Sequence, residues 1–218
     1  MSEHAVISVV TGLPRPAWRG RLHTWAFWVT LPAAIGLLFV ADRGRVAVGL
    51  YGLSLAGVYG VSASYHRLAR SVRAQHLMRR LDHSTIFLLI AGTYTPVCLT
   101  ALERRQWLPL LSAVWGLSIL GVGLKVWGPP SVLRVTNALY VVIGWLAVLA
   151  LPAFLRSVSG IVMALMIAGG LLYSIGALIF YLRRPDPNPI VFGYHEVWHA
   201  FTVVAGACHF AMVALVVA

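Results

Sequence analysis

The segment Tyr194-His195-Glu196-Val197-Trp198-His199 places two histidines four residues apart. On an α-helix, positions i and i+4 share a face, so both imidazoles can reach one point. A second stretch, Ser62-Ala63-Ser64-Tyr65-His66, sets a hydroxyl and an imidazole at the same spacing. Asp82 follows in Arg79-Arg80-Leu81-Asp82-His83-Ser84. Neutral imidazole suits Zn²⁺, and three protein ligands leave a fourth tetrahedral position open. We read His66, His195 and His199 as ligands of a Zn²⁺ cofactor, with the Asp82 carboxylate and the Ser62 hydroxyl as further candidates beside it.

Each residue also has a plainer reading. Asp82 suits the N-cap of a helix, Glu196 suits a helix N-terminus, and Ser62 is small enough to serve packing alone. His4 and His76 stand in polar segments, while His23 and His83 read as residues where a helix meets lipid headgroups. His209 lies about 21 Å along its helix from His195 and belongs to no common site with it. His195 to His199 also fits H-E-x-x-H, the helix of zinc proteases in which the glutamate is a general base, although nothing else in the chain suggests a soluble protease.

These residues need elements that bring them together, and the composition says which. The chain has 218 residues, of which 60% are hydrophobic and 11% charged. Its mean hydropathy is +0.83. Soluble domains carry about a quarter charged residues, so this chain has too few to cover a water-facing surface. A soluble globular protein and a disordered one are both excluded. The net charge of +11 fits basic loops that orient a membrane protein, and we expect no nucleic-acid partner. Two cysteines, Cys98 and Cys208, make no disulfide framework.

Uncharged apolar stretches at 22–41, 46–65, 84–102, 107–124, 135–155, 158–182 and 197–218 each approach the roughly 20 helical residues that cross a bilayer. The expected fold is an all-α integral membrane protein, a seven-transmembrane-helix bundle forming one domain over 1–218. The first stretch is too long for a cleaved signal and reads as a retained helix. If the loops alternate sides, twelve of the 17 Lys and Arg residues fall on one side and five on the other. The positive-inside rule then makes the N-terminus cytoplasmic, in a multi-pass protein of the inner or plasma membrane. The second, third and seventh helices bring His66, Asp82 and His195 to one depth near the cytoplasmic face. His199 lies about 6 Å deeper than His195.

The chain resembles the hemolysin III family, the bacterial branch of the progestin and adipoQ receptor superfamily. The resemblance runs through Arg19-Gly20 with His23, Ser62 with His66, Leu81-Asp82-His83-Ser84 leading to Ala91-Gly92-Thr93-Tyr94-Thr95-Pro96, and His195-Glu196-Val197-Trp198-His199. It implies zinc held by the three histidines that match His66, His195 and His199, with the residues matching Asp82 and Ser62 completing the motif. It also implies kinship with membrane ceramidases, which hydrolyse a lipid amide. Relatives often carry a neutral residue at the position of Glu196, which favours Asp82 as the partner of water.

Three functions are then open. The first is a zinc-dependent hydrolase of lipid amide or ester bonds acting in membrane homeostasis, with membrane lipids as its partners. The second is a membrane sensor or receptor-like protein in which zinc is structural. The third is a pore-forming haemolysin, a cytolysin. A pore needs a polar lining through the whole membrane depth, whereas the ionisable residues here gather at one end, so it ranks last.

Overall fold

The structure is a computed structural model that describes residues 7, 8, 12, 14–129 and 131–218. His4 lies outside the described residues. The helices are α1 (Arg21–Val40), α2 (Arg45–Arg67), α3 (Val72–Ala101), α4 (Arg104–Trp127), α5 (Val132–Trp145), α6 (Leu151–Ser157), α7 (Gly160–Leu182) and α8 (Tyr194–Val217). A 3₁₀ turn, Leu146–Ala150, joins α5 to α6. Among the described residues, seven helical spans are long and apolar enough to cross a membrane, and the fifth, Thr136–Ser157, includes that turn. Large apolar side chains such as Trp28, Phe39, Leu53, Ile119 and Leu149 point outward and are exposed. In water such a surface would be an extensive apolar patch, while in lipid it is the expected exterior.

Short connections make sequence neighbours antiparallel. α2 packs between α1 and α3, α3 also packs on α4, and α8 closes the bundle against α7, α1 and α3. Small residues set the approach: a Cβ at Gly52 would stand 2.9 Å from the Cβ of Ala34 on α1. The alternation gathers the start of α1, the end of α2, the start of α3 and the start of α8 at one end of the bundle. The candidate residues occupy that end.

Two expectations are corrected. The third helix begins at Val72 rather than near residue 84, and Ser71 caps it, accepting a hydrogen bond from the Ala74 amide at 3.2 Å. Asp82 is therefore not an N-cap; it lies three turns inside α3. Its preceding segment, Val72 to Leu81, is too polar to read as a membrane span, yet it contains no helix breaker and continues the helix to 30 residues. At 1.5 Å per residue that is about 45 Å, longer than a hydrocarbon core.

The fifth span, expected over 135–155, is found at Thr136–Ser157 but is not a single regular helix. It is broken at Leu146–Ala150, where the Tyr94 hydroxyl enters the backbone ladder. That hydroxyl accepts from the Ala147 amide at 2.7 Å and lies 2.8 Å from the Gly144 carbonyl, to which it donates. A side chain inserted into the i→i−4 ladder is a recognised cause of such breaks, and here it also satisfies the freed backbone groups.

Candidate metal centre

His66 sits in the last turn of α2, and His195 and His199 in the first two turns of α8. Their ligand atoms all lie within 4.8 Å of one another. The Nε2 atoms of His66 and His195 are 3.2 Å apart. Two nitrogens held about 2.0–2.1 Å from a tetrahedral metal ion stand about 3.3–3.4 Å apart, so this spacing fits two ligands of one ion. An N–H···N hydrogen bond has a similar length; the third imidazole within reach is what makes the group a donor set. His66 and His199 are buried, and His195 is half-buried with its ring edge-on to Phe180 of α7 at 5.3 Å. The triad is positioned to bind a metal ion.

Ser62 and Asp82 come together with each other. The Ser62 hydroxyl, one turn before His66 on α2, faces the Asp82 carboxylate across the α2–α3 contact, close enough to interact with it. Ser62 is buried, and Asp82 is half-buried. Ser62 is small enough to serve packing, and it also has a carboxylate as a neighbour.

Glu196 lies between the two α8 ligands in sequence and is 1% exposed. One carboxylate oxygen accepts the Gly193 amide at 2.9 Å, which caps α8, and the other is paired with Arg19. Both oxygens are thus engaged in holding the first turn of the helix. A free general base would need one of them available, so the zinc-protease role does not suit Glu196.

His23 departs from its expected place. It is 5% exposed, enclosed by protein rather than facing outward, and its ring stacks on that of His199 with centroids 3.9 Å apart and planes 10° apart. Its Nε2 lies 3.0 Å from Thr202 Oγ1, and Thr202 in turn donates to the His199 carbonyl at 2.8 Å. His83 is half-buried, and its carbonyl accepts the Tyr140 hydroxyl at 2.9 Å. His76 is exposed on α3, as a polar segment predicts. His209 packs against α7, 3.4 Å from the Met166 carbonyl and away from the triad.

Comparison with known proteins places the chain in a family. The family described as "Haemolysin-III related" matches residues 11–210. Hemolysin-3 of Bacillus cereus is 32% identical over 187 residues, covering 84% of this chain and 82% of its own. The Hemolysin-3 homolog of Bacillus subtilis (strain 168) is 32% identical over 187 residues, covering 84% of each chain. More distantly, the chain is similar to the Adiponectin receptor protein of Drosophila melanogaster, 24% identical over 90% of this chain and 53% of the receptor. The matched region contains all three histidines, Ser62 and Asp82 on a seven-span bundle, and the chain belongs to the haemolysin-III-related family.

Proposed function

We propose that the protein is a zinc-dependent hydrolase of lipid amide or ester bonds, acting within the membrane on membrane lipids. The observation that carries this reading is the convergence of three imidazoles within 4.8 Å, next to a hydroxyl–carboxylate pair one helical turn away. Three nitrogen ligands with an open fourth position are the pattern of catalytic zinc, and imidazole donors suit zinc better than magnesium or calcium. Bound zinc supplies a Lewis acid that polarises a carbonyl and lowers the pKa of water.

The chain's own residues supply the rest. Asp82 orients the attacking water and takes its proton, a role that contributes roughly 10²–10⁴-fold where it has been measured. Ser62 holds the Asp82 carboxylate in place and offers a hydrogen bond to the water or to the developing oxyanion. The apolar exterior admits a lipid from the side, so the scissile bond is presented at headgroup depth. The excess of basic residues at this end supports its placement at the cytoplasmic face. The test is hydrolysis of long-chain amide and ester lipids by the purified protein, wild type beside Asp82→Asn. Turnover that disappears in the variant while zinc remains supports the mechanism, and full activity in the variant refutes it.

One observation favours a second reading, a receptor-like protein with structural zinc. His66 stands in the last turn of α2 and His195 and His199 in the first two turns of α8, so a metal held there would tie the ends of two helices that are distant in sequence. That reading expects zinc to raise thermal stability without any lipid turnover.

A further inference from the structure

Three residues spaced four apart, Arg15, Arg19 and His23, each reach a different part of the triad. The Arg15 guanidinium donates to the carbonyls of His66 at 2.7 Å, Ala69 at 3.1 Å and Tyr65 at 3.3 Å. It thus closes the open carbonyl end of α2 at the very residue that carries a ligand. Arg19 pairs with Glu196, the residue after His195 and three before His199. His23 lies flat on His199 and is anchored to Thr202. The intervening chain is pinned as well: the amides of Ala17 and Trp18 donate to the carbonyls of Ile190 and Val191 at 3.0 and 3.1 Å.

None of the three is itself suited to be a ligand. The guanidiniums carry no lone pair to offer. The His23 ring is parallel to His199, so its nitrogens point alongside that ring rather than toward a shared ion. Its Nδ1 is buried and has no hydrogen-bond partner, and its Nε2 is held by Thr202. What the three residues do is fix the ligands: the last turn of α2 through Arg15, the first turn of α8 through Arg19, and the plane of the His199 ring through His23.

We propose that the segment from Arg15 to His23 sets the metal affinity of the triad, with these three as positioning residues. The inference rests on the reading of His66, His195 and His199 as a metal site. Metal–ligand distances tolerate only about 0.2 Å, so elements that hold two helix ends in register act directly on affinity. Groups that orient metal-binding histidines typically change affinity 10–100-fold when removed. Coupling of this kind is reciprocal, so metal must also hold the segment in place.

The test uses the full chain purified in detergent. Zinc affinity is measured by chelator competition, thermal stability is followed in parallel, and trypsin cleavage after Arg19, at the Arg19–Gly20 bond, is timed with and without zinc. Arg19→Gln and His23→Ala should each weaken zinc binding about tenfold or more, with about one zinc per chain still bound at saturation. Arg19→Lys should recover part of the loss, and zinc should slow tryptic cleavage in the wild type. Cobalt(II) provides an independent signature: His23→Ala should shift the visible absorption of the cobalt-loaded protein. If Arg19→Gln does not fold, His23→Phe, which keeps a stacked ring but loses the Thr202 bond, carries the affinity test. Variants that lose thermal stability yet bind zinc as tightly as the wild type would overturn the proposal alone. A wild type that binds no zinc would overturn it together with the metal reading.

Discussion

The Nε2 atoms of His66 and His195 stand 3.2 Å apart across a sequence separation of 129 residues. They are brought together by the end of α2 meeting the start of α8, an arrangement that antiparallel crossings of the membrane impose. Nothing in the local sequence of either helix requires it. The pairing therefore ties the chemistry of the site to the topology of the whole bundle.

Removing the carboxylate of Asp82 should separate chemistry from metal binding. Asp82→Asn keeps the size of the side chain and its contact with Ser62. We expect lipid turnover to fall by about 10²-fold or more, with zinc content close to that of the wild type. Steady-state turnover and elemental analysis on the same preparation check this.

Gly20 should accept no side chain. Its φ is +78°, and an added Cβ would stand 2.8 Å from the Cβ of His66. The left-handed backbone alone costs a non-glycine residue roughly 1–2 kcal/mol, and the contact pushes on a ligand. Gly20→Ala should lower both thermal stability and zinc affinity, whereas Gly36→Ala on α1, which has open space around it, should change neither. Melting curves in detergent with and without added zinc distinguish the two.

The break in the fifth span depends on one hydroxyl. Tyr94→Phe leaves the Ala147 amide without its 2.7 Å acceptor inside the membrane. An unsatisfied buried donor costs about 1–3 kcal/mol, so the variant should melt earlier by a measurable margin. Because the break is remote from the triad in sequence and structure, zinc affinity should stay at the wild-type value.

Chelation should destabilise the wild type in a concentration-dependent way. A ligand that binds only the folded state stabilises by about 2.7 kcal/mol at a hundredfold excess over its Kd. Adding zinc back should restore the melting temperature along that logarithmic curve. In His199→Ala the melting temperature should not respond to zinc or to chelator.

The triad was legible in the sequence because its signal is geometric: i, i+4 spacing in α8, and alternating crossings that return the end of α2 to the same side. The spans were legible from hydropathy. The start of α3 was not, because a window tuned to apolar residues detects the membrane-crossing part of a helix and misses polar turns such as Val72 to Leu81. His23 was read as interfacial because its neighbours in sequence are polar; only the fold shows that the start of α1 is packed against α8. Arg15 and Arg19 looked like orienting charges, since a basic residue before a first span serves that purpose in most membrane proteins. Their spacing of four from His23 was the available clue. The Tyr94 break had no signal in the fifth span at all, because its cause lies on α3.

The most direct test is zinc content of the purified protein, measured by elemental analysis after purification without chelators, wild type beside His195→Ala. The account predicts about one zinc per chain in the wild type and its loss in the variant at unchanged helical content. No zinc in a folded wild type, or equal zinc in both proteins, would contradict it.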